Sequence, residues 1–283
     1  MLTVLEAINK STEYLKDKGI ESPRVNAELL LSHILKCKRL NLYLSFDRPL
    51  SEEEIDNYRE LLKRRRGYEP LQYIIGSVEF FGLQLEVNRN VLIPRPETEI
   101  LVEIVIDELK SKTNLSILDI GTGSGNIAIA LAKNIETAKI TAIDINNDSL
   151  ELAKKNSQSN NVEDKISFEK IDILNCDEIS EKFDIVVSNP PYISLEEYPE
   201  LKPELNRFEP RLALTDESNG LTFYEVISKK SRSFLKQNGK LFFEIGIEQF
   251  SAVKGILESE GYKNISIKKD YSGIERVISG ELI

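Results

Sequence analysis

Ser116-Ile117-Leu118-Asp119-Ile120-Gly121-Thr122-Gly123-Ser124-Gly125 decides the fold. Its first half is apolar apart from Asp119 and reads as a buried strand. Its second half carries glycine at alternate positions, which lets the backbone take positive φ and approach a ligand closely. A helical run follows over residues 126–133. A strand that turns through a glycine loop into a helix is the opening unit of an α/β sheet, and ligands bind at the carboxyl edge of such sheets. The spacing is Gly-x-Gly-x-Gly, not the Gly-x-Gly-x-x-Gly of dinucleotide folds, and no lysine follows it as in a triphosphate loop.

Downstream of this stretch, strand and helix alternate. Residues 139–143 read as a second strand ending at Asp144, about 20 residues past the loop, where a carboxylate reaches ribose hydroxyls. A helix over 148–159 and a strand over 166–168 come next, with Asp172-Ile173 placed to meet an adenine edge and face. The fourth strand, 183–188, runs into Ser188-Asn189-Pro190-Pro191-Tyr192. Two consecutive prolines forbid both helix and ladder, so the strand stops there. It leaves an amide, two rigid carbonyls and an aromatic ring at a carboxyl end. A helix over 221–236, a strand over 239–245, a helix over 248–260 and a closing antiparallel pair at 265–267 and 276–279 complete the pattern. Such alternation predicts a mostly parallel sheet with helices on both faces.

Upstream, residues 1–75 have helical spacing. Leu2, Leu5, Ile8 and Leu15 recur on one face. Ser22-Pro23 is expected to start a second helix, with Ser22 as its cap. Residues 40–44 suggest a short third helix, and Ser51-Glu52-Glu53-Glu54 has capping-box form. That helix ends in Lys63-Arg64-Arg65-Arg66-Gly67, cations at its negative end with glycine as the expected stop, or else a basic docking patch. Alternation on either side of Gly82 predicts a hairpin within 76–94, taken as a connector between two domains. Pro96 suits the first position of a helix reaching Leu109.

Charge narrows the function classes. Residues 1–75 hold 13 Lys/Arg against 12 Asp/Glu, and residues 76–283 hold 24 against 35. A long-range basic field for gripping nucleic acid is absent, so DNA or RNA is not expected as the direct substrate. Cys37 and Cys176 are the only cysteines, which leaves no metal cluster to expect and fits a reducing cytoplasm. The first residues lack signal-peptide form, and no apolar run of about 18 residues predicts a membrane span. A monomer is expected. His33, the only histidine, lies on an apolar helix, so a mechanism needing a histidine base is disfavoured.

Taken together, Asp119–Gly125 with its three glycines, the acidic strand end at Asp144 and Asn-Pro-Pro-Tyr at 189–192 resemble class I S-adenosylmethionine methyltransferases that act on amino nitrogens. Ile93-Pro94-Arg95-Pro96-Glu97-Thr98-Glu99, Phe208-Glu209-Pro210-Arg211-Leu212-Ala213-Leu214 and Gly220-Leu221-Thr222-Phe223-Tyr224 narrow the resemblance. They are similar to the HemK/PrmC family, the peptide chain release factor glutamine methyltransferases, over nearly the whole chain. Asn-Pro-Pro-Tyr alone is shared with DNA adenine and RNA guanine methyltransferases, and a nucleic-acid amino methyltransferase is the alternative. Ile173 stands where some members carry an aromatic residue.

The resemblance implies an α/β Rossmann-like class I methyltransferase sheet, parallel with one antiparallel strand. It implies a helical bundle domain at 1–75 that docks substrate, a β-hairpin connector at 76–94 and a cofactor-binding catalytic domain at 95–283. S-adenosylmethionine is expected against Asp119, Gly121, Thr122, Gly123, Ser124, Gly125, Asp144, Asp172, Ile173 and Asn189. The substrate implied is the glutamine of the Gly-Gly-Gln tripeptide in class 1 release factors, held by Asn189, Pro190, Pro191 and Tyr192. A carboxamide nitrogen is a poor nucleophile because its lone pair is delocalised. Acceptors fixed on its two hydrogens, the Asn189 side-chain oxygen and the Pro190 carbonyl, would favour a pyramidal nitrogen. Asn189, Pro190 and Tyr192 are thus the expected catalytic residues, with Tyr192 stacking on the flat amide and no general base needed.

Overall fold

The computed structural model describes residues 2–110, 113–176 and 179–283. The chain divides into two compact units: the chain up to Gly76 joined by Lys202–Phe208, and Ser77–Leu201 joined by Glu209–Ile283.

The first unit is helical: α1 (Val4–Lys16), α2 (Pro23–Ile34), α3 (Arg39–Tyr43), α4 (Glu52–Arg66) and α5 (Leu71–Ile75), with the later α9 (Pro203–Phe208). Its core is aliphatic, with Val4, Ile8, Leu15, Leu30, Leu31 and Leu42 all fully buried. Each such side chain contributes roughly 1.5–3 kcal/mol on burial. The capping box at Ser51 forms in full, with Glu54 N–H on the Ser51 hydroxyl and Ser51 N–H on the Glu54 carboxylate. The expected Ser22 cap does not form. Ser22 takes a left-handed φ of 47° and its hydroxyl caps nothing; the Asn26 amide donates to the Glu21 and Ser22 carbonyls instead (3.0 and 3.1 Å).

The basic run lies in the last turn of α4, at its negative end as expected, and Gly67 is the cap, though not in a left-handed conformation. Gly67 has φ −77°, and the left-handed residue that ends α4 is Tyr68, at φ 70°. Arg65 is buried, donating to Asn26 Oδ1 (2.6 Å), the Glu69 carbonyl (3.0 Å) and Glu204 Oε1 (2.5 Å). Arg64 pairs with Glu69, Lys63 with Glu60, and Arg66 lies over the Tyr14 ring. Of these cations only Arg65 is buried, and the Lys63–Glu60 pair stands in solvent. Neither α5 nor α9 is legible in the apolar spacing, because each is barely longer than one turn.

The second unit opens with β1 (Ser77–Phe80) and β2 (Leu83–Glu86), an antiparallel hairpin turned by Phe81 and Gly82, both at positive φ. Phe80 and Leu85 of the hairpin enter the core of this unit. Then come α6 (Pro96–Leu109), β3 (Ser116–Ile120), α7 (Asn126–Asn134), β4 (Lys139–Asp144), α8 (Asn147–Ser159), β5 (Ile166–Lys170) and β6 (Phe183–Ser188). After α9 the chain returns as α10 (Thr222–Phe234), β7 (Leu235–Glu244), α11 (Phe250–Ser259), β8 (Lys263–Lys269) and β9 (Glu275–Leu282).

The seven-stranded sheet runs β5-β4-β3-β6-β7-β9-β8, parallel through β7, with β9 antiparallel to both its neighbours. This is the class I methyltransferase sheet with its one antiparallel strand. Successive strand residues face opposite sides, and the two cores separate accordingly. Ile117, Ala142, Val187 and Phe242 meet α6 and α7, whereas Leu118, Ile143, Val186 and Phe243 meet α10 and α11. With both faces covered, these strands read as nearly continuous apolar runs. Among the described residues no helix is long and apolar enough to cross a membrane.

Candidate active site

From β3 the strand order steps one way to β4 and β5, and from β6 the other way to β7. A crevice opens at such a switch point, outside the carboxyl ends. Here the ends of β3, β4 and β6 border a cleft of about 370 Å³. Gly121 and Gly123 line it after β3, Asp144 and Ile145 at the end of β4, Asp172, Ile173 and Leu174 after β5, and Asn189, Pro190 and Pro191 after β6. Of the residues expected at the site, Asp119, Thr122, Ser124, Gly125 and Tyr192 do not line it.

Those residues build the wall from behind. Thr122 Oγ1 donates to Asp119 Oδ2 at 2.6 Å, and both side chains are buried. Burial pushes the Asp119 carboxyl up to about 7, against the pull of the Thr122 hydroxyl. The Gly121 and Thr122 N–H groups donate to the Ile143 carbonyl, and Gly123 N–H to Asp144 Oδ2 (2.9 Å), so the loop is laced to the end of β4. Gly123 sits at φ 55° with open space where a Cβ would stand, as a loop that meets a ligand through its backbone requires. Asn156 holds the loop from α8, its amide donating to the Ser124 carbonyl at 2.9 Å.

Asp144 is half-buried, and burial raises its carboxyl above the ordinary value against the Asn146, Gly123 and Ile145 N–H groups. Asp172 closes its own turn, accepting from Leu174 N–H (2.9 Å) and the Asn175 amide (2.7 Å). Ile173 is 6% exposed and apolar, and Ile145 beside Asp144 is 49% exposed. Ile145 was not among the expected residues; its signal was an apolar side chain directly after an acidic strand end.

Around Asn-Pro-Pro-Tyr the chain is held from several directions. Ser188 Oγ donates to the Ile120 carbonyl at 2.8 Å. The Asn189 amide donates to Thr98 Oγ1 at 3.1 Å, and that hydroxyl donates to Glu244 Oε2 at 2.6 Å. Among the described residues the Asn189 side-chain oxygen takes no hydrogen bond from the protein. The Tyr192 carbonyl accepts from Gln249 Nε2 at 2.9 Å, and its ring lies against Gly246. Gly220, at φ 82°, passes so close that a Cβ there would fall 2.4 Å from the Tyr192 carbonyl oxygen. Asp216 fixes this approach by accepting from Ser218, Gly220 and Thr222 N–H. Burial pushes the Tyr192 hydroxyl up. Arg95 donates to Glu209, whose other oxygen accepts from Ile93 N–H at 3.1 Å. Glu244 and Gln249 were not predicted as parts of the site, nor were the partners that Thr98, Arg95 and Glu209 find in it.

Two family profiles match this chain: the PrmC N-terminal domain over residues 6–76 and a methyltransferase domain over residues 111–265. The release factor glutamine methyltransferase of Fusobacterium nucleatum is 42% identical over 275 residues, 97% of this chain and 77% of that protein. Those of Chlorobaculum tepidum and Aliivibrio fischeri are each 38% identical, covering 98% and 100% of this chain and 96% and 98% of theirs. The chain belongs to the release factor glutamine methyltransferase family. Solved structures share the family's fold at lower identity. A methyltransferase catalytic domain solved with an RNA hairpin is 19% identical, with a TM-score of 0.59 over 72% of this chain and 77% of that one. A methyltransferase from Pyrococcus furiosus is 18% identical, with a TM-score of 0.52 over 71% and 89%.

Proposed function

We propose that this chain transfers a methyl group from S-adenosylmethionine to the side-chain nitrogen of the glutamine in the Gly-Gly-Gln tripeptide of class 1 release factors. The observation that carries it is Asn189: it stands at the switch point, its NH₂ is occupied by Thr98, and its oxygen is left to accept.

The cleft fits a nucleoside that carries a sulfonium and an amino acid. Its volume lies in the range of small-molecule sites. Its charged lining residues are Asp144, Asp172 and Arg211, and the Arg211 guanidinium is paired with Glu217 at 2.5 Å. No unpaired cation among its described lining residues asks for a phosphate, which speaks against nicotinamide dinucleotides and triphosphates. Asp144 would take the ribose hydroxyls, and Ile145, Ile173 and Leu174 would face the adenine. When bound, S-adenosylmethionine supplies an electrophilic methyl group.

The chain's own part is to orient the acceptor. Asn189 Oδ1 and the Pro190 carbonyl take the two amide hydrogens, and Pro190-Pro191 keeps that carbonyl from reorganising. Tyr192, half-buried beyond Pro191, offers its ring as a platform. The methylated nitrogen is strongly acidic and loses its proton to water, so no protein base is required. We assign the helical unit to docking the release factor away from its glutamine; a short Gly-Gly-Gln peptide is then a poorer substrate than the whole factor.

Intact and peptide mass analysis of a release factor, before and after incubation with enzyme and cofactor, tests this reading. One added methyl on the glutamine nitrogen is expected. Methyl found only on added nucleic acid, or on oxygen or carbon, would overturn it.

A further inference from the structure

Glu244 ends β7 inside the protein, 2% exposed, and makes no ion pair among the described residues. A lone carboxylate in that position needs a reason. Its side chain takes one described hydrogen bond, from Thr98 Oγ1 in the first turn of α6, and Thr98 is itself 1% exposed. A hydroxyl has a single hydrogen. Once Thr98 gives that hydrogen to Glu244, it can only accept from Asn189. The side of the Asn189 carboxamide that faces Thr98 must then be nitrogen, and the side turned away must be oxygen.

We propose that Thr98 and Glu244 are positioning residues that fix which end of the Asn189 carboxamide meets the substrate. The assignment rests on the reading of Asn189 as acceptor and deepens it. A carboxamide is nearly symmetric in shape, so packing alone does not choose between its two orientations. Flipped, Asn189 would present NH₂ to the substrate amide, donor against donor, and the pyramidal nitrogen would lose one of its two acceptors.

The arrangement also makes the orientation sensitive to protonation. A protonated Glu244 can donate to Thr98 Oγ1, which frees the Thr98 hydrogen to reach the Asn189 oxygen and turn the amide over. Burial pushes the Glu244 carboxyl up to about 7, against the Thr98 hydrogen bond; Glu97 adds to the rise, and Arg276 and Arg95 oppose it. Tyr192 faces the same carboxylate, and the Tyr224 hydroxyl donates to the Glu244 backbone carbonyl at 3.0 Å.

The test compares Thr98→Val, Thr98→Ser, Glu244→Gln and Asn189→Ala, measuring kcat with whole release factor at saturating cofactor, cofactor Kd by calorimetry, thermal unfolding and the pH profile of kcat. Thr98→Val should lower kcat by roughly 10- to 100-fold while cofactor Kd moves by less than about threefold. Thr98→Ser, which restores the hydroxyl, should recover most of the loss. In the Asn189→Ala background, Thr98→Val should cost nothing further. The acid limb of the kcat profile should move or vanish in Glu244→Gln. A folded Thr98→Val enzyme with parental kcat, a Thr98→Ser variant as impaired as Thr98→Val, or an unchanged acid limb in Glu244→Gln would overturn the assignment. Full activity in Asn189→Ala would instead remove the acceptor reading on which it stands.

Discussion

Arg95 and Glu209, 114 residues apart, hold each other through the guanidinium and a carboxylate that is 1% exposed. The pair ties the stretch before α6 to the stretch after α9, and Pro210 and Arg211 of the latter line the cleft. Removing one member of a buried pair leaves the other uncompensated and costs about 3–5 kcal/mol. Because Arg95 is 29% exposed, water can take over part of its solvation, and the lower end applies. Glu209→Ala should therefore lose ~3 kcal/mol in urea unfolding with an unchanged m-value, and Glu209→Gln less.

Asn189→Ala removes the acceptor and leaves the turn, because Pro190-Pro191 and the Gln249 bond to the Tyr192 carbonyl remain. It should lower kcat/KM by roughly 2–4 kcal/mol, the range for one preorganised hydrogen-bond partner. Calorimetry should show cofactor affinity changed far less than turnover.

Two glycines with similar φ should respond differently to the same change. Gly82, at φ 72°, has nothing within 4 Å of where an added methyl would stand, so Gly82→Ala carries only backbone strain of about 1 kcal/mol. Gly220→Ala adds a methyl 2.4 Å from a backbone oxygen, and the Tyr192 segment must move. Its loss in thermal unfolding should be the larger, and kcat should fall with it, whereas Gly82→Ala should keep parental turnover.

Stability should fall as pH rises through neutrality. The Asp119 carboxyl titrates ordinarily near 3.8 and is pushed by burial up to about 7 in the folded protein. A group raised on folding stabilises most below its unfolded value, and that contribution disappears as pH climbs through the folded value. Asn at 119 does not titrate. Asp119→Asn should thus gain on the parent by roughly 3 kcal/mol between about pH 5 and pH 8, read from urea midpoints at each pH. A gap between the two proteins that stays constant across this range would contradict the assigned burial effect.

The sheet was legible because its central strands are covered on both faces and their apolar runs are hard to misread. The hairpin was legible because Gly82 breaks the alternation where a tight turn is needed. Asn189, Pro190, Gly121, Gly123 and Asp144 could be placed at the cleft from strand ends alone. Thr98 and Glu244 could not, since a threonine in a helix start and a glutamate closing an apolar strand acquire meaning only when the chain brings them within 2.6 Å. Asp119 and Thr122 were expected to touch the cofactor because they lie inside the glycine motif; the pleat of β3 turns Asp119 inward, and Thr122 in the loop beyond is buried with its hydroxyl on that carboxylate. Ser22 misled because a serine before proline usually caps through its side chain, and here Ser22 is left-handed and its hydroxyl makes no cap bond, while the Asn26 amide ties down the Glu21 and Ser22 carbonyls.

The excursion of Lys202–Phe208 limits how this protein can be rearranged by recombination. A graft that exchanged only the first 76 residues for another helical module would leave Glu204 behind, without the Arg65 guanidinium it accepts from. The first 76 residues and this seven-residue insert must be inherited as a set, so homologues that diverge in one are expected to carry matched changes in the other.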